Sequence, residues 1–207
     1  MFENYKVIIW DFDGVIMDSM PIRGLGFEKV LASYPREQVE ELLAFHEENG
    51  GLSRYVKFRY FFEQIRKQEI SEDEVIELAK SFNRIMLSLL IDEKLLINDS
   101  VEFIRKNADK YEMHIASGSD GVELNEICKG LNLSLFFKSI NGSPTPKTEI
   151  VKQLLSKNNY NISDVVLIGD SKNDYDATVD NNIDFAGYNN ESMLNLTNKY
   201  IYSFGSL

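Results

Sequence analysis

The chain has 207 residues, 43% of them hydrophobic and 27% charged, enough for one full domain plus a smaller appendage. A formal net charge of −11 argues against nucleic acid and anionic membranes as partners, since both are polyanions. The single cysteine, Cys128, excludes an intramolecular disulfide, and the chain fits a reducing compartment.

The opening Met-Phe-Glu-Asn-Tyr-Lys leads straight into a strand-like run, so no signal peptide is expected. No apolar stretch approaches the about 18 residues that a membrane helix needs, and a cytoplasmic protein is expected. Residues 7–10 (Val-Ile-Ile-Trp) form a continuous apolar run, the pattern of a strand buried on both faces of a parallel sheet. Residues 18–97 then hold no strand-like run. They carry amphipathic stretches at 27–34, 37–47, 56–66 and 72–90, with Gly24, Gly26, Gly50 and Gly51 expected as interruptions. From residue 99 the pattern alternates: helix 99–110, strand 113–116, strand 135–140, helix 148–157, strand 165–168 and weaker strands at 183–188 and 200–204. The expected fold is α/β: a Rossmann-like parallel sheet core (residues 1–17 and 98–207) with helices on both faces, and a small all-helical cap (18–97) inserted after the first strand. Cys128 has no basic neighbour in sequence and reads as a buried, inert thiol.

Ligands of open parallel sheets bind at the carboxyl ends of the strands. Here the first strand ends in Asp11-Phe12-Asp13-Gly14, the second in Ser117-Gly118-Ser119, and the fourth in Gly169-Asp170-Ser171, with Asp174 following. Lys147 precedes a helix after the third. Each piece alone is a common turn or a solvated surface group. Their order and shared position give the signal. Converging carboxylates repel one another, and a hard divalent cation such as Mg²⁺ resolves the repulsion. A hydroxyl, the Gly118 amide and the Lys147 ammonium suit the oxygens of a phosphate. The set therefore predicts phosphoryl transfer.

These residues resemble the haloacid dehalogenase superfamily of phosphohydrolases. The stretch from Asp11 to Ser19 is similar to its first motif, Ser117 to the second, Lys147 to the third, and Asp170 with Asp174 to the fourth. The helical insertion resembles the cap of phosphoglycolate phosphatases and β-phosphoglucomutases. The resemblance implies that Asp11 is the nucleophile, forming an aspartyl-phosphate, and that Asp13 is the general acid and then the base. It implies Mg²⁺ held by the Asp11 carboxylate, the Asp13 carbonyl and Asp170, with Asp174 in support. Ser117, Gly118 and Lys147 would hold the phosphate, and Asp18 would serve the cap hinge or a purely structural role.

Within the cap, the candidates for substrate recognition lie in the stretch from His46 to Lys57, with Asn49, Gly51 and Arg54 foremost, and at Arg23, while His46 itself reads as a surface or packed histidine rather than a catalyst. The expected substrate is a small phosphorylated metabolite such as a sugar phosphate. The oligomeric state is left open between monomer and dimer. Two related chemistries compete with hydrolysis of a phosphate monoester. A 2-haloacid dehalogenase would lack an aspartate at the Asp13 position. A phosphomutase would carry a lysine where Gly50 stands, beside an arginine matching Arg54. A phosphate-sensing protein without catalysis is disfavoured by the intact Asp11, Asp13, Lys147 and Asp170.

Overall fold

The computed structural model describes residues 2–206. Six parallel strands form one sheet in the order β3-β2-β1-β4-β5-β6: β1 (Val7–Trp10), β2 (Glu112–Asp120), β3 (Ser139–Ser143), β4 (Val165–Gly169), β5 (Asp184–Tyr188) and β6 (Tyr200–Ile201). The Val-Ile-Ile-Trp run lies at the centre because both faces of β1 are covered. Ile8 and Trp10 pack with Val166, Ile168, Met113 and Ile115 on one face. Val7 and Ile9 pack with Val165 and Leu167 on the other. Helix α5 (Asn98–Asn107) and helix α6 (Gly121–Gly130) close the first face through Val101, Ile104, Leu124 and Ile127. Helices α7 (Lys147–Asn158) and α8 (Lys172–Asn181) close the second through Ile150, Val151, Leu154 and Ala177. Cys128 is buried on α6, and burial pushes its thiol up to about 12, which leaves it unreactive.

Between β1 and β2 the chain is helical: α1 (Met20–Val30), α2 (Arg36–Glu48), α3 (Arg54–Arg59) running on into a π-helical turn (Tyr60–Ile65), and α4 (Glu72–Leu90). Ser71 and Glu74 start α4 with reciprocal bonds between side chain and backbone. Phe27, Phe58 and Phe82 meet where α1, α3 and α4 converge, with ring centroids 4.6–6.2 Å apart. The insertion leaves and rejoins the sheet at one place. Asp18 donates its N–H to the Leu95 carbonyl at 2.8 Å, and Ile97 donates to that of Ile16 at 2.9 Å. None of the described helices is long and apolar enough to cross a membrane.

Three expectations are corrected. Gly24 and Gly26 do not interrupt a helix but lie inside α1. A Cβ on Gly26 would stand 2.5 Å from Met86 Cε and 2.8 Å from Phe82 Cε2, so the glycine lets α1 and α4 approach. The third strand starts at Ser139 rather than 135. The apolar residues before it form a 3₁₀ turn (Ser134–Phe136), with Leu135 73% exposed, while β3 itself is a half-buried edge strand of polar sequence. The second strand runs on through Ser117-Gly118-Ser119 to Asp120, with an irregularity in its pairing to β3 between Ala116 and Asp120.

Gly26→Val forces side chains into the α1–α4 contact, a change that destabilises by about 1–3 kcal/mol. At roughly 2–4 °C per kcal/mol for a chain of this size, thermal unfolding reads it directly. Gly24→Ala is the control. Its Cβ would meet only Leu43 Cδ2 at 3.8 Å, and Tm should hold or rise.

Candidate active site

Asp11 follows β1 and stays in register with the sheet, donating its N–H to the Ile168 carbonyl at 2.9 Å. The chain then turns sharply: Gly14, at φ +79°, donates to the Met17 carbonyl at 2.8 Å. A Cβ there would stand 2.0 Å from Asp170 Oδ2, so the glycine lets the carboxyl end of β4 close on that of β1. Asp174 sits in the first turn of α8, where its Oδ2 accepts from the N–H and hydroxyl of Ser171. Asp11, Asp170 and Asp174 each offer a carboxylate oxygen within 4.8 Å of the others.

One cation answers these three carboxylates. Lys147, first residue of α7, is buried and donates to Asp11 Oδ1 at 2.7 Å and to Asp174 Oδ1. The two carboxylates hold its ammonium protonated against its burial. The balance is still negative. Burial, then the charge of Asp174, pushes Asp11 up to about 7, Lys147 notwithstanding. Burial and the charges of Asp11 and Asp174 push Asp170 well above the usual carboxylate range. The donor set is all oxygen and over-charged by about two, which fits a hard divalent cation.

Asp13 points the other way, toward the cap. Its Oδ1 accepts from Ser19 Oγ and from Arg23 Nε at 2.6 Å, and its Oδ2 accepts from Ser119 Oγ. Burial would raise Asp13, but the Arg23 charge and the three hydrogen bonds outweigh it and bring it down to about 2. Ser117 is buried in β2, and its Oγ accepts the Ser119 N–H at 3.0 Å, leaving its own proton free to donate. Gly118 packs against the Gly51 carbonyl.

The cap candidates divide. Arg23 and Arg54 are buried between cap and core, where both meet Glu123 of α6. Arg54 forms a two-pronged pair, Nη1 to Oε2 at 2.5 Å and Nη2 to Oε1 at 2.8 Å, and Arg23 Nη1 reaches Oε1 at 3.0 Å. Gly51 docks on the core through its carbonyl, which accepts from Asn173 Nδ2 at 2.9 Å. Asn49 is not brought to the site, because its side chain turns back to cap the Phe45 carbonyl at 2.9 Å. Asp18 is exposed at the crossing between core and insertion. His46 is packed against Phe27 at 5.1 Å and held neutral, burial and Lys57 bringing it down to about 3.

Three residues of this site, Ser19, Ser119 and Glu123, lay outside the sequence-based set, and Lys57 stood in it only as the end of the candidate cap stretch. Ser19 and Ser119 sit within the quoted motifs and differ from other loop serines only in place. Glu123 and Lys57 carry no local signal, since their partners come from other elements.

The carboxylate cluster predicts a titration. Asp11 must shed its proton to bind a cation, so divalent affinity measured by calorimetry rises with pH and levels above about 7. Asp170→Asn removes one of three repelling charges. It should raise Tm in chelator and abolish the further rise that the cation gives the parent.

A family model described as haloacid dehalogenase-like hydrolase matches residues 8–188. The chain is 24% identical over 195 residues to the phosphoglycolate phosphatase of Colwellia psychrerythraea, covering 89% of this chain and 84% of that one. It is 24% identical over 179 residues to the phosphorylated carbohydrates phosphatase of Thermotoga maritima, covering 83% and 79%. Among solved structures, β-phosphoglucomutase from Clostridium difficile is similar in fold, with a TM-score of 0.76 at 20% identity over 98% of this chain and 93% of that one. With its four strand-end motifs gathered at one site, the chain is an enzyme of the haloacid dehalogenase-like hydrolase family, and its curated relatives are phosphoric monoester hydrolases.

Proposed function

We propose that this chain is a Mg²⁺-dependent phosphatase that hydrolyses the phosphate monoester of a small metabolite through an aspartyl-phosphate on Asp11. The observation that carries the reading is the buried cluster of Asp11, Asp170 and Asp174 around Lys147, with a second carboxylate, Asp13, two residues along and facing the cap. Asp11, the Asp13 carbonyl and Asp170 would hold the cation, with Asp174 in support. Bound there, it would offset charge between carboxylates and phosphate.

The chain's own groups account for the proton and bond changes. An Asp11 oxygen attacks phosphorus, the bond to the leaving oxygen breaks, and Asp13 gives that oxygen a proton. Water then attacks that phosphorus, the bond to the Asp11 oxygen breaks to free phosphate and the carboxylate, and Asp13 takes the proton from the water. Arg23 and the three hydrogen bonds favour the ionised form of Asp13, the form required for the second step. The first step needs Arg23 to leave Asp13 as substrate enters. Lys147 stays protonated and, with the Ser117 hydroxyl and Gly118 amide, receives the transferring phosphate.

Residues 18–97 act as a cap that swings about the paired crossings near residues 18 and 97, closing over the substrate and excluding water. Hydrolysis is favoured over a mutase because Glu123 already engages both cap arginines, so neither is free to hold a second phosphate. The buried lone thiol and net acidic surface suit a cytoplasmic enzyme acting on small molecules.

Asp11→Asn should abolish turnover without changing Tm by more than a few degrees. Acid quench during the first turnover, followed by borohydride reduction, should convert Asp11 to homoserine in a peptide map, because an aspartyl-phosphate is an activated acyl group. An Asp11 left unmodified throughout the turnover means direct attack by water. EDTA should remove activity and Mg²⁺ restore it, with Ca²⁺ poor because it takes more ligands at longer distance. With β-glucose 1-phosphate and a trace of glucose 1,6-bisphosphate, faster formation of glucose 6-phosphate than of inorganic phosphate would favour the mutase.

A further inference from the structure

Two arginines of the cap face the core beyond Asp13, and the core answers both with one side chain. Glu123 of α6 is fully buried. Arg54 meets it with two prongs, at 2.5 and 2.8 Å, and Arg23 with one, at 3.0 Å. Arg54 is fixed further by Asn83 Oδ1, which accepts from its Nη1, and by the Phe82 ring, 4.5 Å from its guanidinium. Arg23 gives its Nε to Asp13. Against its burial, the charges of Asp13 and Glu123 hold Arg23 protonated. Two guanidinium charges are thus met by two carboxylates of the chain itself.

The N-terminus of α6 is filled in the same way. Free N–H groups at a helix start suit an anion. Here Asp120 Oδ1 already accepts from the N–H groups of Val122 and Glu123, at 3.1 Å each. Its Oδ2 accepts from the Tyr55 hydroxyl of α3 at 2.7 Å. Lys57, the remaining cation of this wall, donates to His46 Nδ1 and to the Gly50 carbonyl, both groups of the cap. Burial, then the Arg23 charge, bring it down to about 7, so it loses its charge near neutrality.

A carboxylate held like Glu123 is hard to displace. An incoming anion that took either arginine would break a buried pair from one side, which is strongly unfavourable. A neutral hydroxyl makes no such demand. Arg23 Nη2 is buried with no partner among the described residues, and it can donate to a hydroxyl while both pairs stay intact. Resting on the phosphatase reading above, we propose that Glu123 is a specificity-determining residue that bars a second anion: by taking both cap arginines itself, it confines the enzyme to substrates whose only anionic group is the phosphate to be removed.

The test compares two esters of one alcohol, 3-hydroxypropyl phosphate and propane-1,3-diyl bisphosphate, at saturating Mg²⁺. The wild-type enzyme should favour the monophosphate in kcat/KM by about 100-fold, the scale set by leaving one buried charge unpaired. Glu123→Gln keeps the size and one accepting oxygen but frees an arginine charge. It should bring the ratio to within a few-fold of one or reverse it, chiefly through KM for the bisphosphate. A glutamate that only fastens cap to core predicts both esters slowed alike with the ratio kept, which overturns the proposal. If Glu123→Gln does not fold, the wild-type ratio decides alone, and a value near one overturns the proposal while leaving the phosphatase reading intact. No hydrolysis of either ester or of p-nitrophenyl phosphate by the Mg²⁺-loaded wild type refutes the phosphatase reading, and this inference with it.

Discussion

The structure depends on one electrostatic constraint: Asp11 and Asp174, both buried, and the half-buried Asp170 are brought together around a single lysine. Like charges at this separation oppose folding, and the sheet must supply the difference. It does so through β1 and β4, neighbours in full register from Val7↔Val165 to Trp10↔Ile168 and apolar on both faces. That packing fixes the carboxyl ends of the two strands, and with them Asp11 and Asp170. α7 and α8 then deliver Lys147 and Asp174 from their first turns, α8 anchored by Ser171. Strength in the core here supports electrostatic tension at its edge, the usual arrangement where stability is traded for chemistry.

A second layer of charge ties the cap to the core. Glu123 is fully buried and accepts from arginines on α1 and α3. Exposed ion pairs of this protein, such as Arg36 with Glu40, contribute little because water screens them. The Glu123 pairs are different in kind. They are desolvated only when the two parts meet, so their worth depends on closure. Arg23 links this latch to Asp13, and the position of the cap and the state of that carboxylate are thereby joined by a single side chain.

Much of this was legible in the sequence. The apolar runs of β1 and β4 are readable because a strand buried on both faces leaves an unbroken hydrophobic signature. Asp11 and Asp170 were found because they follow such runs, and Lys147 because it opens an amphipathic helix. The amphipathic stretch read at residues 72–90 has the bounds of α4, and in the structure the Ser71–Glu74 pairing starts it. Edge strand β3 was placed too early, because a half-buried polar edge has no signature while the preceding 3₁₀ turn is apolar. Glu123 escaped for a different reason, and Lys57 was read only as the end of a candidate stretch. Glu123 lies 100 residues from Arg23 and 69 from Arg54, and Lys57 meets His46 only across the helices of the cap. Pairings between elements leave no periodicity to read. The glycines of α1 were misread in the opposite sense, since Gly26 is set by a helix crossing and not by a turn.

The adjacency of residues 16–18 and 95–97 has a consequence for how such an enzyme can change. The insertion departs and returns through two backbone hydrogen bonds and one isolated bridge, Met17 to Leu96. To the sheet, everything between those bonds is a single excursion that starts and ends at one point. Its helices can be lengthened, shortened or replaced as a block, and the strands that hold the acidic cluster keep their register. Residues that choose the substrate are thus carried on a module inherited separately from those that hold the reacting atoms. Duplicated copies of such a chain can diverge in diet while their chemistry stands still.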